Sequence, residues 1–316
     1  MKKVFEKLNL RDYGVLLGFL ALCIAISIAT PSFLGKQNIL NLLRQSSIIG
    51  IISAGMTFVI ISGNFDISVG AVAALAGAIT MKFATGGTNL FASMLLGVAI
   101  CAVIGLINGI VVAKINVPSL IATMAMVTIV RGLLLMLTGG YPITENIPIL
   151  DYIGNGYLFN IPIPVVIFFI VVLVSFTVLN KTKFGRYVYS VGGNQEASKL
   201  NGINVDSHKV KVFIINAVLA GIAGIVLTGR LGTATAIAGE GYDMDAIASV
   251  VIGGTSVAGG SGSVLKTVIG VLLMSVINNS FNLLGIDVYF QYIFKGLIIL
   301  AAVGFDSYSK KKLASR

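Results

Sequence analysis

The sequence predicts an all-α membrane protein: about ten transmembrane helices in two inverted five-helix halves, some of them broken or re-entrant. Three observations point there. Of the 316 residues, 56% are hydrophobic and 11% charged, with a mean hydropathy of +0.98. That is too apolar for a soluble domain, whose outer shell has to be polar. The long apolar stretches lack the period-2 alternation of barrel strands and so read as helices, the other structure that satisfies its backbone in lipid. Finally, the basic residues gather in a few loops and the two tails, as the positive-inside rule requires. The formal charge of +10 therefore does not indicate a nucleic-acid surface.

Taken in order, spans are expected at 13–30, 46–62, 67–83, 90–113, 117–138, 162–180, 210–229, 243–258, 262–284 and 289–306. The first follows Met1-Lys2-Lys3 as a signal peptide would, but Thr30-Pro31-Ser32-Phe33 offers no small-x-small cleavage site, so it reads as a retained helix. The second and third spans are separated only by Gly63-Asn64-Phe65-Asp66. The eighth is short and rich in glycine near its end, at Gly253-Gly254 and Gly259-Gly260. With Gly70, these glycines mark where the chain breaks or re-enters. The runs Gly70–Gly77 and Leu219–Gly224 are stripes of small residues suited to close helix packing. Cys23 and Cys101 lie far apart in apolar spans and read as free thiols.

Orientation follows from charge. Lys2, Lys3, Lys7, Arg11, Lys114, Lys181, Lys183, Arg186, Lys199, Lys209, Lys211, Lys310, Lys311, Lys312 and Arg316 fall on one side, against Lys36, Arg44, Lys82 and Arg230 on the other. Glu145, Asp151, Glu240, Asp243, Asp245 and Asp287 are assigned to the outward side. Both termini and the 181–211 segment are thus expected in the cytoplasm. Two halves of five spans must be inverted relative to each other, with a pathway at their interface.

Lys181 to Lys211 is the longest polar break. Within it Asn194 can cap a short helix beginning near Gln195, Glu196 faces the positive end of that helix's dipole, and Gly202 can end it in a left-handed turn. Such a helix between two spans suits docking on a soluble partner.

Catalytic and cofactor chemistry is hard to find. Gly259 to Thr267 superficially resembles a phosphate loop, but Leu265 stands where glycine is required. The single histidine, His208, has no ligand-spaced companions. The deep ionisable candidates are basic (Arg131, Lys266 and Lys295), and Asp66 is assigned to a helix break near an interface. The lack of deep carboxylates counts against ion coupling. Asn278, Asn279 and Asn282 on successive turns, with Gln291, Tyr292 and Asp66, are candidates for a path suited to neutral polyols. Interhelical glue is the alternative role for the asparagines.

The segment Glu196-Ala197-Ser198-x-x-x-Gly202 resembles the E-A-A-x-x-x-G motif of permease subunits in bacterial ATP-binding-cassette importers, with Ser198 in place of an alanine. Gly63–Gly70, Val117–Thr123, Phe184-Gly185-Arg186, Gly241–Ala248, Val251–Ser256, Gly259–Ser263 and Lys295-Gly296 extend the resemblance to the ribose/xylose/arabinose/galactose-type monosaccharide permeases, nearest in pattern to the ribose type. The resemblance implies one permease domain over 1–316 in the bacterial cytoplasmic membrane, with a cytoplasmic coupling loop at 181–209 carrying Arg186, Glu196, Ala197, Ser198, Leu200 and Gly202. It also implies a homodimeric pathway, a separate ATPase that uses ATP and Mg, and an extracytoplasmic sugar-binding protein. No cofactor is expected on this chain. A self-contained facilitator or secondary carrier, and a membrane-embedded enzyme, are the competing classes.

Overall fold

A computed structural model describes residues 10–314; the expectations resting on Lys2, Lys3, Lys7 and Arg316 lie outside it. The described chain is helical: α1 (Leu10–Ala29), α2 (Lys36–Ile61), α3 (Val69–Thr85), α4 (Leu90–Ala113), α5 (Ser119–Thr138), α6 (Pro148–Asn155), α7 (Ile163–Lys181), α8 (Lys183–Gly193), α9 (Gln195–Leu200), α10 (Val205–Leu231), α11 (Tyr242–Ile252), α12 (Val264–Leu283) and α13 (Val288–Ala314). Among the described residues, α2, α4, α5, α7, α10 and α12 are long and apolar enough to cross a membrane, and α3 and parts of α1 and α13 are shorter apolar helices. This is an all-α, multi-pass membrane protein. The strands are two-residue ribbons, Ile143–Thr144 against Thr233–Ala234 and Tyr157–Leu158 against Ile161–Pro162.

One expected span is not a full crossing. The eighth, placed at 243–258, is the eleven-residue helix α11. At 1.5 Å per residue it extends about 16 Å, half the hydrocarbon thickness. Gly253 and Gly254 end it, and residues 253–263 continue as turns with Gly254, Gly259 and Gly260 at positive φ. Non-helical backbone within a membrane protein is tolerated where protein covers it or where it lines a water-filled cavity, and this segment is partly exposed, with Gly254, Ala258 and Ser261 open. Here the Gly260 amide donates to the Ile61 carbonyl at 2.9 Å and the Ser256 amide to the Ser261 carbonyl at 3.0 Å. The 139–162 connection also contains a helix that the apolar pattern does not announce: α6, which packs on the end of α10.

The core is built on α2 and α10. Nearly the whole of α2 from Ser46 to Ile61 is buried, and α10 is buried over most of its second half. Their neighbours are exchanged between halves: α10 packs on α3 and α4 of the first half, while α2 packs on α11 and α12 of the second. Each of the two central helices is thus packed against elements of the other half of the sequence. This packing depends on the two small-residue stripes, which lie against each other. A Cβ on Gly224 would come 1.9 Å from the Ala73 carbonyl oxygen, so the backbones of α10 and α3 approach as only glycine permits.

Candidate coupling surface and translocation cavity

The polar segment expected as a loop over 181–209 is two short helices and the start of α10. The Thr182 hydroxyl accepts from the Gly185 amide at 3.2 Å and starts α8. The Asn194 side chain accepts from the Ala197 amide at 2.9 Å and starts α9, and Gly202 follows with φ +76° in the left-handed region. Ser198 is buried; its hydroxyl donates to the Asn194 carbonyl at 2.8 Å and lies 2.9 Å from the Ser190 hydroxyl of α8. The serine that departs from the alanine pattern therefore ties α9 to α8. Glu196, Ala197, Lys199 and Gly202 are exposed, and Leu200 is 89% exposed, an apolar side chain with no cover in the chain. Arg186 is exposed on α8, a separate helix from Glu196 to Leu200. His208 stacks on Phe184 with centroids 5.8 Å apart and meets Tyr187 edge-on at 5.1 Å.

The far end of α8 reaches the core. A Cβ on Gly192 would lie 1.7 Å from the Ile61 carbonyl oxygen and 2.8 Å from the Gly260 amide nitrogen. One on Gly259 would meet the Gly63 backbone at 2.9 Å. The breaks after α2 and after α11 therefore pack together, with the end of α8 wedged against both. Tyr189 reinforces the joint by donating its hydroxyl to the Gly262 carbonyl at 2.9 Å. Gly70 and Gly253 are close-packing positions as well, against Gly239 and the backbone of Lys266.

The asparagines proposed for the path do not share one environment. Asn278 donates to Asp245 at 3.3 Å, Asn279 exchanges hydrogen bonds with Asn38 at 2.8 and 3.0 Å, and Asn282 accepts from Gln291 at 3.2 Å. Each joins α12 to a different element, as interhelical glue would. Asp66 is fully enclosed: its carboxylate accepts from the Ser68 amide at 2.9 Å, the Ser68 hydroxyl at 2.5 Å and the Asn216 amide group at 2.9 Å.

Two expectations about charge are corrected. Asp245 is not an outward loop carboxylate but a buried residue in the first turn of α11. Lys295 is not a lone deep cation, because its ammonium lies 3.0 Å from Asp245 Oδ1 and 3.1 Å from Oδ2. Carboxylates are thus buried in the bundle, and their absence cannot serve as the argument against ion coupling. The sequence alone places Asp245 outside because it stands at the very start of the expected eighth span, where position along the chain does not show that the first turn is covered by α12 and α13.

Sequence reasoning also missed Asn108 and Asn216. Asn108 of α4 donates to the Ser68 hydroxyl at 3.1 Å, so it stands to the Asp66 cluster as Asn278 of α12 stands to Asp245. A signal was present: Ile107-Asn108 and Ile277-Asn278 lie at the same distance from the ends of their helices, Ala113 and Leu283.

Tyr292 lines a cavity of about 750 Å³ between α3, α5, α11 and the 236–241 connection. Arg131 forms one wall, held by hydrogen bonds from Nη1 to the carbonyls of Ala236 and Ala238. Glu240, Asp243 and Thr128 also face it, among Met124, Met244 and Leu135.

The sequence matches the family described as branched-chain amino acid transport system, permease component, over residues 38–303. The chain belongs to this permease family. It is 44% identical over 303 residues to the ribose import permease protein RbsC of Haemophilus influenzae, covering 93% of this chain and 94% of that protein. It is 43% identical over 300 residues to RbsC of Bacillus subtilis (94% and 93% covered) and 35% identical over 300 residues to the L-arabinose transport system permease protein AraH of Escherichia coli (95% and 92%). No solved structure matches it. Within the family chain, the α8–α9 unit and the Arg131 cavity lie at opposite ends of the long helix α10, which runs from Val205 beside α9 to Leu231 beside the 232–241 connection.

Proposed function

We propose that this chain is the membrane-spanning subunit of an ATP-binding-cassette importer that moves a monosaccharide, ribose in the first instance, into the cell. The observation that carries the reading is the α8–α9 unit. A capped helix with Leu200 exposed at its tip is joined through Gly192 to both breaks of the bundle, so a push on α9 is delivered to the core without a flexible linker. The likeness to ribose import permeases over more than nine-tenths of the chain supports the substrate. In this reading a separate ATPase uses ATP and Mg and docks on α9, a sugar-binding protein meets the other face, and two copies of the chain form the pathway. The basic residues of α8 and α9 then face the cytoplasm with both termini, in the inner membrane of a bacterium.

The decisive experiment is purification of the tagged chain from detergent with identification of the co-purifying chains. A stoichiometric ATP-hydrolysing subunit, lost when Glu196 to Gly202 is disrupted, is the expected result. A homodimer free of ATPase that still passes ribose into vesicles would make the chain a self-contained facilitator and overturn the proposal.

A further inference from the structure

The cavity bounded by Arg131 carries charges of both signs, with Thr128 and Tyr292, in a wall that is otherwise largely apolar. In a membrane protein such groups do not face hydrocarbon, so this concave surface faces water or a polar ligand. Both hydrogen bonds of Arg131 to the 236–238 backbone run from one nitrogen, Nη1, which fixes the guanidinium plane and leaves the other arm of the fork to a ligand. The connection that positions it is itself anchored, since the Gly239 carbonyl packs against Gly70 at the start of α3 so closely that a Cβ there would lie 2.2 Å away. Glu240 and Asp243 add acceptors to the same space. A volume of about 750 Å³ falls within the range of small-molecule sites.

We infer that Arg131, Glu240 and Asp243 form a hydroxyl-binding subsite for a neutral sugar on the translocation path. The class of ligand follows from the mixed charge. The two carboxylates oppose an anion and the guanidinium opposes a cation, whereas a polyol hydroxyl both donates and accepts and can pair with each in turn. Tyr292, on the same wall, supplies an aromatic ring of the kind that covers the apolar face of a sugar. This inference rests on the importer reading and specifies which residues touch the cargo.

The test is uptake of radiolabelled D-ribose and 2-deoxy-D-ribose by cells relying on the intact transporter, with unsubstituted chain, Arg131→Gln, Glu240→Gln and Asp243→Asn at matched membrane levels. Each substitution is expected to lower ribose uptake about tenfold, the value of one good hydrogen bond, and to narrow the preference for ribose over the deoxy sugar. Glu240 is exposed, so Glu240→Gln keeps the test valid if Arg131→Gln fails to fold. Equal loss for both sugars, or unchanged uptake in Glu240→Gln and Asp243→Asn, would overturn the subsite alone. Weaker co-purification of the sugar-binding protein with an unchanged ribose preference would also overturn it, by making the carboxylates a docking surface. No ribose uptake by the unsubstituted chain would remove the importer reading and the subsite together.

Discussion

Asp66 and Asn216, 150 residues apart in sequence, are joined by a 2.9 Å hydrogen bond inside the bundle. The bond connects the break between α2 and α3 to the middle of α10, so it crosses from one half of the molecule to the other. Gly55 makes it possible, because a Cβ there would lie 2.6 Å from Asn216 Oδ1. Asp245 is a second buried acid at the start of a helix, held by Asn278 of the following helix and by Lys295 of α13, within the second half of the chain.

The first prediction concerns that crossing. Asn216→Leu leaves a carboxylate oxygen of Asp66 buried with one donor fewer, which costs about 1–3 kcal/mol. A lower thermal midpoint in detergent is expected, and Asp66→Asn together with Asn216→Leu should recover part of the loss. Equal midpoints for the parent and Asn216→Leu would show that the bond contributes nothing.

Lys295 and Asp245 form an ion pair with 22% and 5% of their side chains exposed. Removing one partner strands the other, at a cost near the lower end of about 3–5 kcal/mol because Lys295 retains some water. Asp245→Asn and Lys295→Gln should each reduce the amount of folded protein on a sizing column, whereas the double change Asp245→Asn with Lys295→Gln should be milder than their sum. Strict additivity would mean the two residues act independently.

Gly192→Ala should damage transport and stability together. The added methyl would meet the Ile61 carbonyl oxygen at 1.7 Å, and backbone cannot yield as a side chain can. Gly193→Ala has only the Gly260 Cα at 3.9 Å in the way and serves as the control. Matched uptake by the two variants would show that the end of α8 is not a tight joint.

At the coupling surface, Gly202→Pro and Glu196→Lys should leave the protein inserted but separate ATP hydrolysis from uptake. Proline cannot adopt φ +76°, and lysine places a positive charge against the positive end of the α9 dipole. Uptake per ATP hydrolysed, measured in proteoliposomes, is expected to fall at least several-fold. Normal coupling in both would remove the role given to α9.

Much of this was legible one residue at a time. Apolar runs gave the helices, since a span is satisfied by its own backbone bonds and needs no partner to declare itself. Asn194 and Gly202 announced the ends of α9 because caps are local chemistry. Charge asymmetry gave the expected orientation, and the resemblance of Glu196 to Gly202 to a permease motif pointed to the same class that the family match supports. The asparagines show where this stops. Asn278, Asn279 and Asn282 look alike on a helical wheel, yet each is bonded to a different neighbour.

Composition and local pattern determined that this chain is a multi-pass helical membrane protein with a capped polar unit between two spans, and the permease class came from the resemblance of its motifs and the family match. The glycines of the eighth span already marked it as short and broken; tertiary structure alone decided that Asp245 is paired with Lys295, that α8 is wedged between two breaks, and that Arg131 lines a cavity. The reason is physical. Burial in lipid depends on the run of residues along the chain, whereas the fate of a buried polar group depends on which donors the fold brings within about 3 Å of it.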